Sequence, residues 1–147
     1  MLSLRVATAA DVVEILPRTR ALQDHEGIEI SDAALESALR TLLASPELGG
    51  VWLIVRDDAT IGYAIVSYGF DLEFGGRDAF LTELFVDETA RKSGSGSQAL
   101  ALLDPELRAR GVRAVHLQVR PDNPAMRLYE RSGFVASPRR IMTRRLG

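Results

Sequence analysis

With 147 residues, 46% of them hydrophobic, the chain has the size of one domain able to bury a real core. Its 18 Lys and Arg against 20 Asp and Glu leave a formal charge of −2, so no global positive field exists to attract nucleic acid or an anionic membrane. The absence of cysteine excludes disulfides, thiolate metal sites and a cysteine nucleophile, and it suits a reducing, cytoplasmic setting.

In chain order, SLRVAT alternates Leu4 and Val6 with polar neighbours and reads as a first strand. Thr8 or Asp11 can cap the helix that follows through Val12, Val13, Ile15 and Leu16, with Pro17 expected to kink or end its first part. Ser31-Asp32 opens a second helix with Leu35, Ala38, Leu39, Leu42 and Leu43 on one face. VWLIV and IGYAIVSYGF, joined at Asp57-Asp58-Ala59-Thr60, form a hairpin, and Gly75-Gly76 turns into DAFLTELFV.

A glycine loop, RKSGSGSQ, then feeds a helix from Ser97 to Arg110, which Gly111 stops and Pro105 is expected to kink or break. After the strand AVHLQV, Asp122-Asn123-Pro124 opens a short helix through AMRLYERS that Gly133 ends. FVAS and RIMTRRL read as two closing edge strands. The expected architecture is α+β, a mixed and mostly antiparallel sheet flanked by helices, in one domain over residues 1–147 with no metal site. No apolar run is long enough to span a bilayer, and Met1–Ala10 does not have the pattern of a signal peptide.

The glycine loop carries the chemistry. A loop entering a helix presents unpaired amides backed by the positive end of the helix dipole, and so favours an anion. Gly94 and Gly96 permit close approach and positive φ, Arg91 and Lys92 add charge, and Ser93, Ser95 and Ser97 add hydroxyls. A dinucleotide fingerprint is disfavoured because seven residues separate Val86 from Gly94 and the next strand ends without an acid. No Walker-type P-loop string occurs. R-x-x-G-x-G is satisfied in full by Arg91, Gly94 and Gly96.

Together, LTELFV, VDETARKSGSGSQALALL and DNPAMRLYERSGF resemble the two signature blocks of the GNAT superfamily, the Gcn5-related N-acetyltransferases. The resemblance implies a GNAT fold of six or seven strands and about four helices, with acetyl-CoA as acetyl donor. Its pyrophosphate would lie on the amides of Arg91, Lys92, Ser93, Gly94, Ser95, Gly96 and Ser97, and its pantetheine arm along the backbone of Leu84, Phe85 and Val86. Asn123 would touch the cofactor, although it stands six residues before Tyr129 where many relatives have seven, the place of Asp122. Lys92 and Ser95 also depart from the glycine and the aliphatic residue common at those places.

Direct acetyl transfer needs a neutral amine, a held carbonyl and a proton for the leaving thiolate. Tyr129, in L-Y-x-x-x-G-F, stands where many relatives have the acid, the alternative being a ring that only packs on the sheet. Glu83, between Leu81 and Phe85 on one expected face, reads either as a base or as a member of a buried pair with an arginine. Tyr68, Phe70, Glu73, His25 and Glu26 are candidates for an acceptor pocket, against the alternative of a solvated face. His116 alternates with Val115 and Leu117 in a strand, where a lone histidine is usually structural.

The implied activity is an N-acetyltransferase acting on a primary amine of a small molecule or peptide. The alternative is a non-catalytic acyl-CoA sensor of the same fold. Dimerisation through the last strands is a further implication, against which the arginines of RIMTRRL would blunt an edge.

Overall fold

Strands β1 (Leu2–Val6), β2 (Gly49–Arg56), β3 (Ala59–Asp71), β4 (Gly76–Val86) and β5 (Ala114–His116) lie side by side in chain order in the computed structural model, which describes residues 1–147. The first four are antiparallel and β5 joins β4 in parallel, giving the mixed sheet expected from the sequence. Helices α1 (Val12–His25) and α2 (Asp32–Ala44) cover one face, and α3 (Ser95–Ala109) covers the other with α4 (Met126–Arg131) beside it.

Alternation in the strands builds two cores. Trp52, Ala64, Val66, Ala79 and Leu81 pack on Leu100, Leu103 and Leu107 of α3, whose three- and four-residue spacings keep them on one helical face. Val51, Leu53, Tyr63 and Ile65 point the other way, onto Val12 and Ile15 of α1 and Leu39 of α2. Ser31 caps α2 by accepting from the Ala34 amide at 3.1 Å. The turn between β2 and β3 places Asp57 and Asp58 at φ 51° and 64°, the paired left-handed conformation that matches the twist of a tight hairpin.

Three expectations are corrected. The sheet has five strands, because residues 134–147 form no ladder and AVHLQV is a strand only over Ala114–His116. A strand needs a partner edge, and three residues of β5 offer too short a one for FVAS or RIMTRRL to pair with. Second, α1 and α3 run unbroken through Pro17 and Pro105. The carbonyls that lose their donors belong to Val13 and Ala101, both solvent-exposed residues, which keeps the loss small.

Third, β4 does not alternate throughout. Val66 pairs with Leu81 and Ile65 with Glu83, so Thr82 is an extra residue bulged out of the ladder. Leu81 therefore faces α3 while Glu83 and Phe85 face α1, and the expected single face of Leu81, Glu83 and Phe85 is split.

Candidate active site

Past Val86 the chain makes a short 3-10 turn over Glu88–Ala90 and enters α3. Lys92 (φ 65°) and Gly94 (φ 78°) both adopt left-handed backbone; for Lys92 that conformation is unusual. The amides of Lys92, Ser93, Gly94, Ser95, Gly96 and Ser97 donate to no atom of the protein, whereas Arg91 before them and Gln98 after them do. Gly96 has helical backbone, and its role is room: a Cβ there would come within 3.1 Å of Leu128, so the glycine lets α4 close against the start of α3.

The serines brace this loop. Ser93 donates to the Ala90 carbonyl at 2.7 Å and lies 2.8 Å from the hydroxyl of buried Ser95. Arg91 folds back, donating from Nε to the Val86 carbonyl at 2.7 Å with its guanidinium 5.3 Å from the Phe85 ring centre. Arg18 of α1 holds the loop's root by gripping Asp87 with Nε and Nη2, both at 2.8 Å.

Because β5 pairs only with Asp78–Phe80, the edge of β4 from Leu81 to Val86 has no neighbouring strand. That open edge leads from the amide loop to the point where β4 and β5 part.

Glu83 sits on the α1 side of this edge and has all three of its partners from neutral groups. Thr19 and Tyr63 donate to Oε1 at 2.7 and 2.6 Å, and Gln23 donates to Oε2 at 3.2 Å. No arginine reaches it. Burial, and then the Glu83 charge, push the Tyr63 phenol well above its ordinary pKa, so it stays a donor.

Tyr129 lies on α4, half-buried, with Phe134 edge-on at 5.9 Å and no hydrogen-bond partner for its hydroxyl. Burial first, and the nearby Glu26 carboxylate second, raise its pKa. Arg120 stands 3.8 Å from Glu26 on the same side. The side-chain oxygen of Asn123 accepts from the Ala125 amide at 2.8 Å and starts α4.

The other acceptor candidates do not converge on Tyr129. His25 is exposed at the end of α1. Tyr68 packs in the core under α3, with Arg77 4.6 Å above its ring, and so belongs to the face opposite Glu83. Phe70 is exposed at the far end of β3, and Glu73 pairs with Arg139 at 2.7 Å.

A model of the Acetyltransferase (GNAT) family matches residues 15–134 of this sequence. The chain belongs to that family. Members of the GNAT family bind acetyl-CoA, and the unpartnered amides and open strand edge fit such a group. The chain is similar to an integron cassette protein from the mobile metagenome of Cole Harbour Salt Marsh, at 29% identity and TM-score 0.86, over 98% of this chain and 90% of that one. A predicted acetyltransferase from Clostridium acetobutylicum, solved with acetyl-CoA, shares the fold at 22% identity and TM-score 0.79, over 98% and 96% of the two chains. An aminoglycoside N-acetyltransferase, AAC(6')-Iy, solved with CoA, shares it at 19% identity and TM-score 0.82, over 99% and 95%. No curated protein matches the sequence.

Sequence reading missed Arg18, which holds Asp87, and Thr19, Gln23 and Tyr63, which hold Glu83. Thr19 and Gln23 are four apart on α1 and so share one helix face, but nothing marks them beside Glu83 until α1 is laid on the sheet. No helix is long and apolar enough to cross a membrane.

Proposed function

We propose that residues 1–147 act as a single-domain, cytoplasmic N-acetyltransferase that moves an acetyl group from acetyl-CoA directly to a primary amine of a small molecule or peptide. The observation that carries this reading is the run of unpartnered amides from Lys92 to Ser97 at the start of α3. Such amides, with a helix behind them, suit a diphosphate. Arg91 and Lys92 add charge to that cradle, and the free edge at Leu84, Phe85 and Val86 suits an extended arm that pairs as a strand would. Acetyl-CoA supplies the thioester.

Tyr129 is the acid in this mechanism. Its phenol is held above the ordinary value by burial, so it remains protonated at neutral pH and can give its proton to a departing thiolate. Glu83 has both oxygens engaged, and its part is to order the wall formed by Thr19, Gln23 and Tyr63. Glu26 places a carboxylate near Tyr129, where it would favour a cationic acceptor. Two copies would pair through residues 134–147, whose Val135, Ile141, Met142 and Leu146 are exposed; a monomer mass by light scattering removes that arrangement.

Titration calorimetry with acetyl-CoA, ATP and NAD tests the ligand, and acetyl-CoA alone is expected to bind. Thiol release over an amine panel tests the activity, and binding without release identifies a sensor. Tyr129→Phe is expected to lower kcat about 10²-fold with acetyl-CoA affinity retained. An unchanged rate across pH removes the acid assignment.

A further inference from the structure

The ladder between β4 and β5 matches Asp78–Phe80 with Ala114–His116, so His116 is the last paired residue before the strands part. Its imidazole lies against the rings of Phe74 and Phe80, each 5.1 Å away, and its Nε2 is 3.1 Å from Oδ2 of Asp78. Asp78 is 7% exposed and has no other side-chain partner. Gly69, directly across the ladder, makes room for the second carboxylate oxygen, since a Cβ there would fall 2.7 Å from Oδ1.

A buried carboxylate is costly unless hydrogen-bonded, and an ionised one can only accept. Nε2 therefore carries the hydrogen, and the neutral ring keeps its lone pair on Nδ1. No protein group bonds Nδ1, and the side chain is 29% exposed. Asp78 is the charged group paired with the ring; Phe74 from the turn after β3 and Phe80 from β4 supply apolar surface.

Below the Thr82 bulge, Asp78 and Phe80 face the same side of the sheet as Glu83 above it, since their partners Gly69 and Ser67 continue the Tyr63–Ile65 face of β3. The free edge of β4 thus starts at the amide loop and ends at His116. Glu83 already accepts three hydrogen bonds, from Thr19, Tyr63 and Gln23, whereas Nδ1 of His116 has no partner in the protein.

We propose that His116, oriented by Asp78, is the base that takes a proton from the acceptor ammonium where β4 and β5 separate, an assignment that rests on the acetyltransferase reading. The ammonium gives one proton to Nδ1, and Asp78 remains ionised beside the imidazolium. The freed nitrogen lone pair forms the N–C bond to the acetyl carbonyl carbon, and the C–S bond breaks. The thiolate takes its proton from Tyr129. Nitrogen loses a second proton on becoming an amide, which replaces the one from Tyr129, so one proton is released per turnover.

The test uses the full chain. Nitrogen-15 NMR of the imidazole in the wild type is expected to give the Nε2–H tautomer with bare Nδ1, a preference that Asp78→Asn abolishes. Thiol release is then followed with acetyl-CoA and putrescine, glucosamine, lysine or an alanine-initiated tripeptide. His116→Gln, whose amide can still donate to Asp78, is expected to lower kcat/KM by about 10²–10³-fold and to remove the acidic limb of its pH profile. Its melting curve and its calorimetric affinity for acetyl-CoA should match the wild type within about twofold.

A protonated Nδ1 in the wild type, or an acidic limb that survives in His116→Gln, overturns the assignment and leaves the acetyltransferase reading standing. Failure of the wild type to bind acetyl-CoA, or binding without release from any of the amines, overturns both.

Discussion

Replacing Arg18 with methionine removes a guanidinium whose five N–H groups all have acceptors. Nε and Nη2 donate to Asp87 at 2.8 Å each, Nη2 also to the Thr60 carbonyl at 3.0 Å, and Nη1 to the carbonyl and carboxylate of Glu14 at 2.7 and 2.9 Å. Arg18 is only 18% exposed and Asp87 30%, so the pair is neither a solvated surface bridge nor a fully buried one. Truncating one partner of a buried pair costs roughly 3–5 kcal/mol, while an exposed pair is worth at most about 1. The intermediate exposure puts Arg18→Met at about 2–3 kcal/mol, or roughly 6–10 °C in Tm for a chain of this size.

The internal control is Arg40→Met, which breaks an i,i+4 bridge to Glu36 whose partners are 54% and 42% exposed and should cost no more than about 0.5 kcal/mol. Urea denaturation of both variants, with unchanged m-values, measures the difference. Since Asp87 is the root of the amide loop, Arg18→Met should also weaken acetyl-CoA binding about tenfold by calorimetry, whereas Arg40→Met should not. Equal stability of the two variants would refute the clamp, and a loosened fold with undiminished affinity would refute its coupling to the loop.

Glu83→Gln gives one amide oxygen to three donors and turns an N–H₂ toward at least one of them, so a loss of about 1–3 kcal/mol is expected by chemical denaturation, with acetyl-CoA affinity kept; wild-type stability would show that the three bonds contribute nothing. Asp11 accepts from Arg5 at 3.1 and 2.9 Å and from the Thr8 amide at 2.8 Å, and those bonds, Arg5 foremost, hold its carboxyl below the ordinary range. A lowered pKa stabilises the fold above the unfolded value near pH 4, and that stability is lost as pH falls through the folded value. Asp11→Asn should lose about 1–2 kcal/mol at pH 7 and much less in acid, a convergence readable from Tm against pH; parallel curves would refute it.

Much of this was readable from residues alone where the signal is local. The hairpin follows from Asp57-Asp58, α2 from Ser31, the ends of α3 and α4 from Gly111 and Gly133, and the left-handed turn into α3 from Gly94. What could not be read is what depends on partners distant in the chain. FVAS and RIMTRRL have strand composition, yet a strand exists only where an edge will receive it, and β5 stops at His116. Tyr68 and Glu73 have the aromatic and acidic character of an acceptor pocket, but Arg77 and Arg139 claim them. Glu83 looked expensive because a buried arginine was the obvious neutraliser; three neutral donors, two of them from α1, accomplish the same end.

The decisive hidden feature is one residue. Alternation through LTELFV gives no hint that Thr82 steps out of the ladder, because its hydroxyl simply bonds the Ile65 carbonyl at 3.3 Å. Without that step the pairing would put Glu83 on the same side as Leu81, against the leucines of α3 where no donors wait. With it, Ala79 and Leu81 complete the α3 core while Asp78, Phe80, Glu83 and Phe85 all turn to the α1 side. A bulge also bends and twists its strand, and this one lies two residues past the last β4–β5 pair, where the two strands separate. The same inserted residue thus distributes the polar groups to the α1 face and lies beside the point where β4 and β5 part.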